Sequence, residues 1–514
     1  MTITLNELTG SIEVLEATGR EDLPVSGLAY HSERVKPGYL FVCINGYKTD
    51  GHRYLRQAAA RGAIAAIVEQ VQPDLEITQY RVADSRRALA ALADRFYDHP
   101  SRKLNVTAVT ATNGKTTTTF MIDAILEEHG FRTGLIGTVI VKAGSTVRPA
   151  ELTTPESLDL HYFFHQMVGQ GISHVTMEAS SAGLELHRVG NVDFNTVVVN
   201  NISREHIDLH GSFEAYLNAK ARLVREAKEQ QWAVFNLDCP ITASLTGQTA
   251  AQTLTYGLKN HGADCIVRDL DLSTGRARFT VELRKPGLAE RLRVKPNPFT
   301  VELGVLGLHS VYNAMAAVLV GLLKGVPVAT IQKALRRFRG VERRFELIFD
   351  DEFKVIDDHF ANEGNINVTL ETLKLMDYRH LHIVYAIRGS RGVTVNRENA
   401  RTMAYWLPLL GVKEVIATTS NSHVTEKDLV TVEEKAVFKA VMDEAGLKYT
   451  IYDELPAAIS RALERTRPGD VLLLAGCQGM DHGARICLEQ IYRQMPHLER
   501  EKVFRALQNR VAGA

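Results

Sequence analysis

The stretch from Leu104 to Ile125 constrains this chain more than any other. An apolar run, Leu104 to Val109, leads into the small-residue turn Thr110-Ala111-Thr112-Asn113-Gly114. Lys115-Thr116-Thr117 follows, and then a helical pattern carrying Phe120, Met121, Ala124 and Ile125. A strand that turns through small residues into a helix offers backbone N–H groups to an anion. In such a loop Lys115 lies on the β- and γ-phosphates of a nucleoside triphosphate and the Thr116 hydroxyl on Mg²⁺. Gly-Lys-Thr alone is also a common surface turn. The strand before it and the helix after it are what point to phosphate.

At 514 residues the chain is too long for one core, and three domains are expected. Residues 1–100 read as a small α/β unit, with an apolar strand in Tyr39 to Ile44, a helix carrying Tyr54, Leu55, Ala58 and Ala59, a buried strand over Ala63 to Val68, and a linker at Pro100-Ser101-Arg102-Lys103. Residues 101–341 read as a larger doubly wound domain around the phosphate loop. Near-continuous apolar strands at Val175 to Glu178, Thr196 to Asn200 and Ala233 to Asn236 fit a parallel sheet covered on both faces. Segment 252–303 alternates more and suits short antiparallel strands. Residues 342–514 restart a βαβ succession, with strands at Lys354 to Asp358, His382 to Tyr385, Glu414 to Ala417 and Val471 to Ala475, and a helix over Leu455 to Arg465. Sixty basic and sixty acidic residues balance to zero, which argues against a nucleic-acid partner held by bulk charge. No apolar run reaches the length of a membrane span, and no signal-peptide pattern opens the chain, so a cytoplasmic protein is expected, with Cys43, Cys239, Cys265, Cys477 and Cys487 as reduced thiols.

Four further stretches carry chemistry: Leu152-Thr153-Thr154-Pro155; Met177-Glu178-Ala179-Ser180-Ser181; Asn200 to Gly211 followed by Tyr216-Leu-Asn-Ala-Lys220; and Gly307-Leu-His309-Ser-Val-Tyr-Asn313. With the Thr112-Asn-Gly-Lys-Thr loop, this set resembles the Mur ligase superfamily, ATP-dependent carboxylate–amine ligases of bacterial cell-wall synthesis. It is most similar to the type that adds an amino acid to a UDP-muramyl dipeptide. The resemblance covers most of residues 25–345 and continues more weakly to about 480. It implies ATP and Mg²⁺ as cofactors, with Thr112, Asn113, Gly114, Lys115, Thr116, Thr117, His309, Asn313, Arg344 and Asp358 on the nucleotide and Thr116, Glu178 and His206 at the metal. Lys220 matches the family's carbamylated lysine, which supplies an anion to brace a cation against phosphate. Lys115, Lys220, Glu178 and His206 are thereby the catalytic candidates. Ser32, Thr153, Thr154, Ser181 and Arg188 match positions that hold the UDP-muramyl substrate. His206 and His210, four residues apart, also have the spacing of a zinc pair, but no third ligand stands near them.

The chain departs from the pattern at several places. Ala108 and Ala111 replace loop glycines, at about 1 kcal/mol of strain should φ be positive there. Glu205 replaces Asp, Ala182 replaces His, and Glu342-Arg343 replaces Pro-Gly before Arg344. In the third domain, Asp357-Asp358-His359-Phe360-Ala361-Asn362 stands for Asp-Tyr-Ala-His-x-Pro, and Ser420-Asn421-Ser422-His423 for the diaminopimelate-reading Asp-Asn-Pro-Arg. Gly476 to Asp481 stands for Gly-Lys-Gly-His-Glu. Arg391 or Arg388 is the candidate for the incoming α-carboxylate, beside Asn421 and His423; an arginine clamps a carboxylate through two charge-assisted hydrogen bonds, which His423 does not copy. The expectation is an ATP-dependent ligase whose incoming amine is not read as diaminopimelate usually is. It acts on small molecules as a monomer or weak homo-oligomer, and its three domains close on the site during turnover. The alternatives are an amide ligase of a specialised pathway with a non-muramyl acceptor, and a silent paralogue that binds nucleotide or precursor.

Overall fold

The computed structural model describes residues 3–19, 22–46, 49–203, 210–273, 275–508 and 510–513. The chain is α/β throughout and forms two compact units, residues 1–256 with 319–324, and residues 257–318 with 325–514.

The first unit contains two sheets. A five-stranded sheet runs in the order Glu16–Ala17, Thr78–Arg81, Ala63–Val68, Tyr39–Val42, Gly27–Ala29, parallel except for the pairing of Glu16–Ala17 with Thr78–Arg81. Helix Ser85–Phe96 packs against it and is capped by the Asp84 carboxylate, which accepts the N–H groups of Arg86 and Arg87. Pro100 to Lys103, expected as a linker, is a turn of 3₁₀ helix. Proline sits in its first turn, and the buried Ser101 hydroxyl accepts the Asp193 N–H at 3.0 Å. An internal bond of this kind ties the segment to the body of the unit.

The larger sheet of this unit orders its strands Thr146–Pro149, Ile140–Ala143, Thr133–Ile136, His174–Glu178, Asn105–Thr110, Thr196–Val199, Trp232–Asn236 and Gln252–Gly257. From Thr133–Ile136 through Gln252–Gly257 the pairings are parallel. Val106, Ala108, Met177, Val197, Ala233 and Phe235 in one core and Val109, Val198 and Val234 at the alternate positions are all fully buried, which explains the unbroken apolar runs in these strands. Parallel order brings the C-terminal ends of Asn105–Thr110, His174–Glu178 and Thr196–Val199 to one edge, where ligands bind in open sheets. In the 252–303 segment Gln252–Gly257 pairs parallel with Trp232–Asn236, whereas Cys265–Asp271, Arg276–Leu283 and Phe299–Leu306 pair antiparallel within the second unit.

The second unit also holds a six-stranded sheet ordered Glu346–Asp350, Lys354–Asp358, Val471–Gly476, Leu381–Ala386, Glu414–Thr418 and Lys448–Tyr452. Only the first pair is antiparallel. One core, with Ile356, Leu370, Ile383 and Met403, lies on one face, and another, with Leu455, Ile459, Leu472 and Leu488, lies on the other. No helix among the described residues is long and apolar enough to cross a membrane.

Candidate active site

The phosphate loop is held by its neighbours. Thr112 N–H donates to the Asn201 carbonyl at 2.8 Å. The Asn201 side chain accepts the Asn113 N–H at 2.9 Å and donates to the Asn113 carbonyl at 2.8 Å, a two-point grip that mimics a strand partner. Gly114 sits at φ +87°, a left-handed conformation that favours glycine, and leads directly into helix Lys115–Glu128. Neither Ala108 nor Ala111 has positive φ, and both are fully buried, so the alanines carry none of the strain anticipated for them.

Two ammonium groups converge on this loop. Lys115 Nζ donates to the Ala111 carbonyl at 2.9 Å and to the Thr112 carbonyl at 3.2 Å. Lys220, 1% exposed and presented by helix Phe213–Arg225, donates to the same Ala111 carbonyl at 2.7 Å and to Thr110 Oγ1 at 3.3 Å. Burying an ammonium is costly unless it finds oxygen partners, so a lysine stationed here serves something at the loop. Its Nζ also lies 5.0 Å from the centroid of the Tyr216 ring, and Tyr216 Oη lies 2.9 Å from Thr112 Oγ1.

Glu178 closes the other side. It ends its strand fully buried. Its carboxylate accepts the Thr116 hydroxyl at 3.1 Å, the Thr138 N–H at 2.8 Å and the Thr138 hydroxyl at 3.0 Å. A Cβ at Gly137 would lie 2.5 Å from Glu178 Oε1, so glycine is needed there for the carboxylate to reach its place. Thr138, Gly137, Asn201 and Tyr216 were not singled out from the sequence for these contacts. The available signal was position: Gly137-Thr138 follows a strand parallel to that of Glu178, at the same edge. The Thr116 hydroxyl and the Glu178 carboxylate are hard oxygen donors, the chemistry Mg²⁺ takes together with substrate phosphates. His206 and Glu205 lie outside the described residues. Among the described residues no group of three His, Cys, Asp or Glu side chains is gathered for a metal, and His210 turns its ring nitrogens to Ser181 and Glu185.

The residues expected at the acceptor substrate line the same edge. Thr154 Oγ1 donates to the Glu178 carbonyl at 2.9 Å and accepts the Ser180 N–H at 3.0 Å, while Thr153 Oγ1 lies 3.1 Å from Thr138 Oγ1. Arg188 donates to the Thr154 carbonyl at 3.1 Å and pairs with Glu156 at 2.9 Å, and Glu156 also pairs with Arg86 of the smaller sheet's helix at 3.2 Å. Ser32 is buried at the start of the 3₁₀ turn Ser32–Arg34 and donates to Gln57 at 2.8 Å.

In the second unit His309 opens helix Leu308–Leu323, its Nδ1 3.3 Å from Thr372 Oγ1, with Asn313 buried one turn on. Burial pushes the His309 imidazole down to about 4. Arg343 has φ +57°, so it keeps the left-handed backbone that a glycine would provide. Its guanidinium reaches Asp481 and the carbonyls of Gly476 and Cys477. Arg344 Nη1 donates to the Arg343 carbonyl at 3.2 Å. Asp358 accepts the Phe345 N–H at 2.8 Å and the Thr369 hydroxyl, and burial pushes its carboxyl up. The adjacent Asp357, fully buried, faces Arg510 and Arg343. Arg391 is half-exposed, 3.8 Å from Asp428, and Arg388 donates to the Ala361 carbonyl. Burial raises the Glu434 carboxyl, but the N–H groups of Thr431, Gly392, Arg391 and Ser390 outweigh it and hold the group below its usual range. His423 lies 3.7 Å from Glu454 and edge-on to His482, ring centroids 5.6 Å apart, and Asn421 N–H donates to the Asp453 carbonyl at 2.9 Å.

Three family models match the chain in succession: "Mur ligase family, catalytic domain" over residues 24–97, "Mur ligase middle domain" over 109–321, and "Mur ligase, glutamate ligase domain" over 343–478. The UDP-N-acetylmuramoyl-L-alanyl-D-glutamate–2,6-diaminopimelate ligase of Syntrophomonas wolfei is 33% identical over 481 residues, 92% of this chain and 93% of that protein. The Geobacillus thermodenitrificans protein of the same name is 34% identical over 459 residues, 88% of this chain and 89% of that protein. A solved structure of a ligase so named matches with TM-score 0.66 and 26% identity over 93% of each chain. The ADP complex of a MurF ligase from Thermotoga maritima matches in fold with TM-score 0.63 at 20% identity, covering 91% of this chain and 98% of that one. With relatives a third identical along nearly its whole length and a lysine-ringed phosphate loop at the edge of its central sheet, this three-domain α/β chain belongs to the Mur ligase family of ATP-dependent ligases.

Proposed function

We propose that this ligase joins an amino acid to a UDP-linked muramyl dipeptide, or to a carboxylate closely like it, through an acyl phosphate. Residues 1–100 serve the UDP moiety, 101–341 ATP, and 342–514 the incoming amine. The observation that carries the reading is the meeting of Lys115 and Lys220 on one loop carbonyl, with Glu178 bonded to Thr116 across from them.

A carboxylate resists attack by an amine. Phosphoryl transfer from ATP gives it a leaving group: the carboxylate oxygen bonds to the γ-phosphorus, ADP departs, the amine adds to the carbonyl carbon, and phosphate leaves as the nitrogen loses its proton. Negative charge grows on the transferring group, and fixed positive charge lowers that barrier. Lys115 supplies such charge from the helix start. Thr116, Glu178 and His206 would hold Mg²⁺, which neutralises phosphate charge when bound. Lys220 would act as its carbamate, an anion placed beside cations. Thr153, Thr154, Ser181 and Arg188 would bind the muramyl peptide, with Ser32 toward the uridine diphosphate. His309, Asn313, Arg344 and Asp358 would serve the nucleotide, and Arg391, Asn421 and His423 the amino acid.

The amine is the finer part of the reading. Ser420 to His423 replaces an arginine-bearing motif, and His423 faces Glu454 and His482. This favours an amino acid whose far end is not a carboxylate gripped by arginine. The test is ATP-dependent phosphate release with UDP-muramyl dipeptide across a panel of amino acids including meso-diaminopimelate. Release should require Lys115 and be greatest with an amino acid other than diaminopimelate. Diaminopimelate as the best substrate would overturn the amine assignment alone, and no release with any amine would overturn the ligase reading in favour of a silent binder.

A further inference from the structure

Arg188 is held from two sides, and helix Ser85–Phe96 of the smaller sheet reaches both. On one side stands Glu156. It occupies the capping position of helix Ser157–Gly169, yet its carboxylate makes no capping hydrogen bond. Instead Oε1 lies 2.9 Å from Arg188 Nη2, and Oε2 accepts a hydrogen bond from Arg86 Nη1 at 3.2 Å. The Arg188 and Glu156 side chains are each 14% exposed and that of Arg86 17%, so little water screens these contacts. On the other side stands His187. Its φ of +54° is uncommon outside glycine, and a conformation of this kind persists only where the surroundings impose it. Its imidazole lies between Arg87 Nε, at 3.2 Å, and Arg222 Nη2, at 3.0 Å. Adjacent residues of one helix, Arg86 and Arg87, thus contact the partner of the Arg188 side chain and the residue just before it in the chain.

We propose that Glu156 and Arg86 are positioning residues that set the pose of Arg188 for an anionic group of the acceptor substrate. This rests on Arg188 belonging to the acceptor site, as proposed above. A guanidinium grips a carboxylate or phosphate through a planar fork, so the plane must be in place for the bonds to form. A long side chain that is ordered only on binding loses rotamer freedom at that moment, which weakens the complex. In Arg188 the Thr154 carbonyl takes Nη1 at 3.1 Å and Glu156 takes Nη2, so the plane is fixed beforehand. Arg86 fixes Glu156 in turn, through the second carboxylate oxygen. Two guanidinium groups on one carboxylate leave one positive charge in excess, which suits a carboxylate or a diphosphate of the acceptor.

Charge and position pull in opposite directions in Glu156→Gln. Losing the carboxylate's charge makes the site more cationic, so a residue that merely tempered that charge would, when replaced, let the acceptor bind more tightly. A positioning residue gives the reverse. The expected result in the full-length enzyme is a rise in KM for UDP-muramyl dipeptide of about tenfold or more, with KM for ATP unchanged. Glu156→Asp keeps the charge but is one methylene short of spanning both arginines, and should lose nearly as much. Arg86→Ala should raise the same KM by less, because Glu156 keeps its direct contact. In an Arg188→Ala background neither Glu156→Gln nor Arg86→Ala should raise it further. UDP alone, tested as a competitive inhibitor, carries the diphosphate without the peptide carboxylate. A matching loss of its affinity in Glu156→Gln assigns the anion to the diphosphate, and an unchanged affinity assigns it to the carboxylate. An unchanged or lowered acceptor KM in Glu156→Gln, even with a lowered unfolding midpoint, would overturn the inference, as would an equal rise in the Arg188→Ala background. An Arg188→Ala enzyme with the wild-type acceptor KM would instead overturn the placing of Arg188 at the acceptor.

Discussion

Lys115 and Lys220 illustrate how much one side chain depends on its surroundings. Each ammonium has its bonds to loop carbonyls, so alanine at either place removes charge from the loop, and at the fully buried Lys220 it leaves a cavity as well. Lys115→Ala is expected to lower ATP-dependent phosphate release by about a hundredfold or more, the scale of losing one charge-stabilising donor, with far-UV circular dichroism unchanged. Glu178→Gln keeps its shape and two hydrogen-bonding oxygens' worth of space but loses the charge. Its loss of rate should shrink as Mg²⁺ is raised, read in a metal titration. His309 gives a pH prediction. Its imidazole protonates near 6.5 when unfolded and near 4 when native, because burial opposes the charged form. Between those values the unfolded chain binds the extra proton, so this residue makes the protein lose stability as pH falls from 6.5 toward 4. Asp123, pushed up to about 6 by burial despite Lys142, acts in the opposite sense between its unfolded 3.8 and 6. The clean measurement is therefore a difference: His309→Asn should lose less midpoint temperature than wild type over the same acid range.

At the scale of elements, most of the parallel strands were legible because a strand buried on both faces reads as an apolar run, and helix Leu455–Arg465 matched its expected bounds. Gln252–Gly257 was misread as antiparallel in character because its partner, Trp232–Asn236, is set by tertiary pairing rather than by its own pattern. The carboxy-terminal segment was not legible at all. Arg510, with 4% of its side chain exposed, pairs with Glu346 at 2.7 Å and with Asp357, while Glu342 accepts the Val511 N–H at 2.7 Å. The segment Gly340 to Glu346, which lacks the family's Pro-Gly, thus has partners more than 160 residues away in the chain. Removing one member of a buried ion pair costs about 3–5 kcal/mol because its partner stays buried and charged. Arg510→Ala should lower stability on that scale in denaturant unfolding, and removal of residues 510–514 should do the same.

At the scale of the molecule, a ligand that binds only the folded chain raises its stability, by about 2.7 kcal/mol at a hundred times its Kd. A non-hydrolysable ATP analogue should therefore raise the unfolding midpoint of wild type, and Lys115→Ala should cut that shift. Several determinants were settled by the sequence alone. Small residues around Gly114-Lys115-Thr116 allow a phosphate loop, apolar runs demand covered parallel strands, and no charge excess calls for nucleic acid. These are local properties, since each depends on residue size, periodicity or composition within a few positions. Only the tertiary structure brought Glu178 to Thr116, Lys220 to Ala111, Glu185 to His210 and Arg510 to Asp357. Those pairs are set by which strands neighbour each other and at what register, and a buried charge or hydroxyl has the partner that this packing brings within about 3 Å, which no nearby residue in the chain foretells.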